Sequence, residues 1–253
     1  MPFTLAHAAA ALPLRRLGLV WSALVIGTMA PDFEYFAVLA PSDRYGHTLR
    51  GTLLLTLPLG LLVLWLFHRV VKAPLGELFP YEIRRRLGRA MDEFQFGPAR
   101  RFGVIVISLL VGIATHLIWD SFTHPNTWLY RRWPLLREAY SLPVFGARPV
   151  YQMLQHGSTL LGVAILAVWV VRWYRSAAVD SVEADDSAQW WILVRITAIA
   201  FAGAVTRAFL GIGIPESQLG RTRFVGLWIV TLIALMWWQL VLIGIWRTRL
   251  ARR

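Results

Sequence analysis

The run Gly112-Ile-Ala-Thr-His-Leu-Ile-Trp-Asp-Ser-Phe-Thr-His124 places His116, Asp120 and His124 at steps of four. On a helix, that spacing puts all three on nearly one face, drifting ~40° per step. An imidazole and a carboxylate one turn apart can hold one cation or pass one proton. The run continues an apolar stretch, Val104 to Val111, and such groups are costly inside lipid. They must therefore face protein, water or a ligand.

The elements that carry these residues are membrane segments. The chain has 253 residues, of which 57% are hydrophobic and 16% charged. Apolar runs of about 20 residues recur, long enough to cross a hydrocarbon core of ~30 Å. The expectation is an all-α polytopic membrane protein forming a single integral membrane domain over residues 1–253. Six segments are read: Leu17–Ala30, Gly51–Val71, Phe102–Phe122, Gly157–Tyr174, Trp190–Ile212 and Phe224–Trp246. The first is short, and an N-terminal helical hairpin is an alternative for it. Met1 to Ala11 has no charged n-region and already contains His7, so it does not read as a cleavable signal.

Between the segments lie a polar, arginine-rich stretch 72–101, a Pro/Trp/Tyr-rich loop 125–154, a small acidic loop 175–189 and a basic tail 247–253. The stretch 72–101 is expected to include a short surface helix. The net charge of +12 would suggest nucleic acid in a soluble protein. Here the basic residues sit in loops and at segment ends, where topology and anionic headgroups explain them, so the partner is the bilayer and not nucleic acid. The tryptophans, such as Trp190-Trp191 and Trp237-Trp238, fit interface anchors better than aromatic cages.

Lys and Arg also orient the chain. With Arg15 and Arg16 cytoplasmic and one crossing per segment, 16 of the 26 basic residues fall on the cytoplasmic side and 8 on the other. Both termini are then cytoplasmic. Asp32, Glu34, His47, His116, Asp120, His124 and His156 all fall at the outer face, although only Lys and Arg were used to orient the chain. His7 joins them only if its helix folds back along Leu17–Ala30, or if the site lies deeper. Arg207 lies toward the outer end of its span.

The absence of cysteine excludes disulfides and thiolate ligands. Imidazole and carboxylate favour zinc, with manganese, iron or magnesium as alternatives. An open coordination position would lower the pKa of bound water, and two ions ~4 Å apart would suit phosphoester cleavage. The proposed ligands are His7, Asp32, His47, His116 and Asp120. Glu34 is a candidate general base, and His124 a candidate general acid or a neighbour of the site. His156 would support the ligands, and Arg207 could hold a substrate phosphate. Each residue also has a purely structural role open to it. Asp32 after Pro31 can cap or turn, and Arg207 can pair with Glu216 or snorkel.

The motifs Met-Pro-Phe-Thr-Leu-Ala-His7, Gly27-Thr-Met-Ala-Pro-Asp-Phe-Glu-Tyr-Phe36, His47-Thr-Leu-Arg-Gly51, Gly112 through His124 and Gln155-His-Gly-Ser-Thr-Leu-Leu-Gly162, in this order, resemble a bacterial membrane family known as a domain of unknown function, DUF4184. More distantly, the chain is similar to YdjM-like membrane-bound metal-dependent hydrolases. By that pattern His7, Asp32, His47, His116 and Asp120 match. The sequence departs from it in having Phe-Glu-Tyr after Pro31-Asp32 and a single His between Tyr45 and Thr48. The unknown-function family carries no activity with it, and the more distant resemblance implies a metal-dependent hydrolase of the bacterial inner membrane. A site that opens on the membrane suggests a lipid or lipid-linked phosphoester as substrate. Two rivals use the same residues. One is a transporter of protons or divalent cations, and the other a structural, partner-binding membrane protein. The oligomeric state is not legible.

Overall fold

A computed structural model describes residues 4–39, 46–143, 146–180 and 189–250. The architecture is all-α: five helices are long and apolar enough to cross a membrane, and a shorter apolar helix precedes them. The long helices are α4 (Thr52–Leu78), α6 (Ala99–Thr123), α8 (Val150–Ser176), α9 (Trp190–Ile212) and α10 (Gln218–Leu250). The short ones are α1 (Thr4–Leu14), α2 (Trp21–Gly27), α3 (Phe33–Val38), α5 (Tyr81–Leu87) and α7 (Trp128–Arg132). The residues fall into two compact units.

The first unit comprises Met1–Phe33, Arg44–Leu61 and Phe96–Arg172. Its N-terminus is a short hairpin in place of one crossing segment. α1 runs to Leu14, a turn carries Arg15 and Arg16, and α2 returns over only seven residues. A helix of that length rises ~10 Å, well short of a bilayer core. It is held instead against α6. A Cβ on Gly27 would stand 2.4 Å from the carbonyl oxygen of Leu109, and one on Gly112 would stand 2.4 Å from that of Leu24. The two glycines thus let the α2 and α6 backbones touch, as small residues do between helices in lipid. Ser108 Oγ accepts from the Val20 backbone N–H at 2.9 Å, satisfying the otherwise orphaned start of α2. Leu24, Ile105, Leu109 and Ile113 fill the contact and are fully buried. On the other side of α1, Gly162 of α8 accepts the Ala6 backbone at a distance that excludes a side chain.

α4 starts from a cap. Thr48 Oγ1 accepts from the Gly51 N–H at 2.9 Å, and its carbonyl accepts from Thr52 N–H at 2.7 Å. The helix then widens to π geometry over Thr52–Thr56, just before Pro58. Pro58 offers no N–H to the preceding turn, and widening is one way a helix absorbs that loss.

The expected loop 125–154 is largely ordered. Thr127 caps α7, a 3-10 turn covers Pro134–Arg137, and Ala139–Leu142 (β1) pairs antiparallel with Gly146–Pro149 (β2). α8 begins at Val150, seven residues earlier than the apolar run suggests. Leu136 is buried and anchors this segment.

The second unit comprises Glu34–Asp43, Leu62–Gln95 and Trp173–Arg253. α9 and α10 form its hairpin, with Ala200, Ala204 and Ala208 fully buried along one face. A Cβ on Gly244 would meet the Val70 carbonyl at 2.3 Å, so α10 also touches its α4 neighbour backbone to backbone. The stretch 72–101 begins inside α4, which runs on to Leu78, and α5 is the expected short surface helix. Residues 181–188 of the expected acidic loop lie outside the described residues.

Candidate metal centre

Six side chains of the first unit converge at the C-terminal end of α6. Asp120 is the hub. Its carboxylate oxygens lie 3.1 Å from His116 Nε2, 3.2 Å from His47 Nε2, 3.3 Å from His124 Nδ1 and 3.5 Å from His7 Nε2. Asp32 stands across from it, 3.6 Å from His116 Nε2 and 3.8 Å from His47 Nε2. His7, Asp32, His116 and Asp120 are buried, and His47 and His124 are half-buried.

Each side chain is placed by its element. His116 and Asp120 are one turn apart on α6. His124 is the C-cap of that helix, where its backbone N–H still donates to the Asp120 carbonyl at 3.0 Å. Asp32 ends the 3-10 turn Ala30–Asp32, which carries Pro31 near its start. His47 sits in the turn that Thr48 caps, and Thr56 Oγ1 ties that turn to α4 through the Gly46 carbonyl at 3.2 Å. His7 lies within α1, and the hairpin carries it back onto α6, stacked on His116 with ring centroids 4.0 Å apart. Of the two routes left open for His7 by the sequence, the structure has the fold-back, through the hairpin of α1 and α2.

Two further residues act here that sequence reasoning missed. Thr4 Oγ1 donates to Asp32 Oδ2 at 2.6 Å. The Thr28 carbonyl lies 2.8 Å from His116 Nδ1, and a carbonyl only accepts, so Nδ1 carries a hydrogen. Thr4 stands one 3-10 turn before His7, and Thr28 directly follows Gly27. Those positions were the available signals.

This bond sets the chemistry of His116. With Nδ1 protonated, the neutral ring presents a lone pair at Nε2, pointed at two carboxylates that also present lone pairs. His116 Nε2, His7 Nε2 and Asp120 Oδ1 make no hydrogen bond, although all are buried. Buried polar atoms normally have partners, and unpaired ones are costly. A cation answers all three at once. It also offsets two carboxylates brought together away from water. The sets His7/His116/Asp120 and Asp32/His47/His116 each offer one ligand atom per residue within 4.8 Å of the others. Ligands ~2.0–2.2 Å from one ion stand about 3–3.5 Å apart. The observed His–Asp separations of 3.1–3.8 Å fall at or just above that range. A carbonyl on the outward ring nitrogen is also the usual second support of a metal-binding histidine.

Burial shifts two groups that lie outside the spanning helices. Burial lowers His7 to about 3, with His116 adding to the effect, so its ring stays neutral and able to coordinate. Burial raises the Asp32 carboxyl above its usual range, against the opposing pull of His116 and Thr4. A cation beside it would reverse that balance.

Of the remaining expected residues, His156 belongs to the first unit and Arg207 and Glu34 to the second. His156 is exposed on α8, while its neighbour Gln155 is buried. Arg207 belongs to the second unit, where its guanidinium donates to the Leu39 carbonyl and to Thr231 Oγ1, the latter at 2.9 Å. Among the described residues it forms no ion pair with Glu216. Glu34 is buried on α3 and also falls in the second unit. His68, the histidine left out of the expected set, stacks on Phe94 at 3.8 Å in that same unit.

Fold and site together define a polytopic helical membrane protein with a buried His/Asp centre at one end of a spanning helix. Residues 1–245 match the family model described as Domain of unknown function (DUF4184), and the chain belongs to that family. No curated protein and no solved structure matches it.

Proposed function

We propose that the protein is a membrane-embedded, metal-dependent hydrolase acting on a lipid or lipid-linked phosphoester. The observation that carries this reading is the buried His116 Nε2, which faces Asp120 and Asp32 while Nδ1 of the same ring is committed to the Thr28 carbonyl. His116 has one nitrogen to give, since Nδ1 is committed. The two candidate ligand sets therefore describe one ion centred on His116, with His7, His47, Asp32 and Asp120 around it. Zinc suits this mixture of imidazole and carboxylate, and manganese, iron or magnesium are the alternatives.

When bound, such an ion supplies Lewis acidity and a nucleophile near neutral pH. The chain's own residues do the rest. Thr4 holds Asp32 in one rotamer, and Thr28 holds His116. His124 Nδ1, next to Asp120 at the more open edge of the cluster, is the group that hands a proton to a departing alkoxide. On this reading the basic tail is cytoplasmic and this end of α6 faces the extracytoplasmic side of a bacterial inner membrane; with five crossings in place of the six expected, the N-terminal hairpin then lies on that outer side too. Substrates embedded in the bilayer would approach it there.

The test is hydrolysis by the purified, metal-loaded protein across a panel of lipid and lipid-linked phosphoesters. The expected result is turnover of at least one member, abolished in Asp120→Asn and in His116→Ala. Stoichiometric metal without turnover of any member would contradict catalysis and support cation transport instead.

A further inference from the structure

We propose that the surface of Trp128–Leu142, directly beyond the metal centre on α6, binds the phosphate headgroup of an anionic phospholipid. It goes beyond the reading above by giving the substrate its charge and lipid class. It rests on that reading only in calling the bound lipid a substrate.

The segment is built rather than loose. Thr127 Oγ1 donates to the carbonyls of Ser121 at 2.8 Å and His124 at 3.1 Å, which fastens α7 to the end of α6 that carries Asp120. The Trp133 ring meets Phe122 edge-on at 5.9 Å, two residues from Asp120. Asn126 takes the left-handed turn, with φ +65, that lets the chain double back after Pro125. The Val150 N–H closes the far end on the Glu138 carbonyl at 2.9 Å.

On this frame, Arg131, Arg132 and Arg137 are all exposed. The single acid of the segment, Glu138, accepts from Tyr140 Oη at 2.9 Å. Among the described residues no carboxylate pairs with the three arginines, whereas Arg69, Arg85, Arg86 and Arg247 of the second unit all have acidic partners. Beside them Trp128 is 73% exposed, Trp133 50% and Leu135 52%. Solvent-exposed indoles at the end of a spanning helix belong at headgroup level, where one side is apolar and the other wet. Guanidinium groups there match phosphate in shape and charge. In the orientation set by the other basic residues, these arginines lie on the side that is otherwise poor in positive charge. Topology alone gives no reason for them, and an anionic ligand does.

The experiment titrates the full-length protein, in zwitterionic detergent, with dioctanoyl phosphatidylglycerol, dioctanoyl phosphatidylcholine and inorganic phosphate, read by thermophoresis. Saturable binding of phosphatidylglycerol is expected, at least tenfold tighter than the other two. Arg131→Gln/Arg132→Gln/Arg137→Gln should weaken it tenfold or more, since each arginine near an anionic surface contributes about fivefold. The corresponding triple lysine variant should stay within about threefold of the native protein. Equal binding by native protein and glutamine variant overturns the proposal, as does phosphatidylcholine or inorganic phosphate binding as tightly as phosphatidylglycerol. Arg69→Gln, a charge removed from the second unit, should bind phosphatidylglycerol like the native protein. A protein that takes up no metal but shows this pattern would refute the hydrolase reading and leave the headgroup surface standing.

Discussion

Asp120 gathers four imidazoles within 3.5 Å, and its replacement should be felt by all of them. Asp120→Asn keeps the shape and removes the charge, so metal affinity should fall by two orders of magnitude or more, measured by competition with a chromophoric chelator. Thr4→Val removes only the 2.6 Å bond to Asp32. It should cost about 10- to 100-fold in the same assay, the usual effect of losing a ligand's support, while thermal stability changes little. A Thr4→Val protein with native affinity would mean that Asp32 is not a ligand. His116 and Asp120 were legible in the sequence because their four-residue step survives translation into any helix. Thr28 was not, because it acts through its backbone carbonyl, which every residue possesses. The role of Arg207 was not legible for a related reason. A half-buried guanidinium is satisfied as well by the Leu39 carbonyl and the Thr231 hydroxyl as by a phosphate, and residue type alone does not separate the two.

The helices are arranged so that backbone meets backbone where the site needs it. The carbonyl of Thr28 reaches His116 only because Gly27 and Gly112 let α2 lie directly on α6. Gly112→Val should therefore destabilise the protein by about 1–3 kcal/mol through overpacking. It should also lose metal, although residue 112 is no ligand, and retention of both would separate the site from this contact. Apolar length located the long helices, and α9 matches its expected bounds, Trp190–Ile212. Where length was short, tertiary contacts decided. Leu17–Ala30 has enough apolar residues to suggest a crossing, but Gly18 at φ +69 breaks the helix and only Trp21–Gly27 remains regular. The four-residue strand Ala139–Leu142 is too short to show an alternating pattern, so the ordered segment beyond His124 read as a loop.

At the scale of the whole molecule, five apolar helices suit a bilayer, and the His/Asp centre lies at the end of one of them. An ion bound to the folded chain and not to the unfolded one stabilises by mass action, ~2.7 kcal/mol at a hundredfold excess over its dissociation constant. Chelation should thus lower the melting temperature in detergent, and restoring zinc should recover it. His116→Ala should be insensitive to both treatments. The most direct measurement of the central claim is elemental analysis of the full-length protein purified without added chelator. Close to one divalent transition metal per chain, zinc foremost, is expected, lost in both His116→Ala and Asp120→Asn. Less than a tenth of an equivalent after reconstitution with zinc, manganese, iron and magnesium in turn, or equal metal in native and variant proteins, would contradict it.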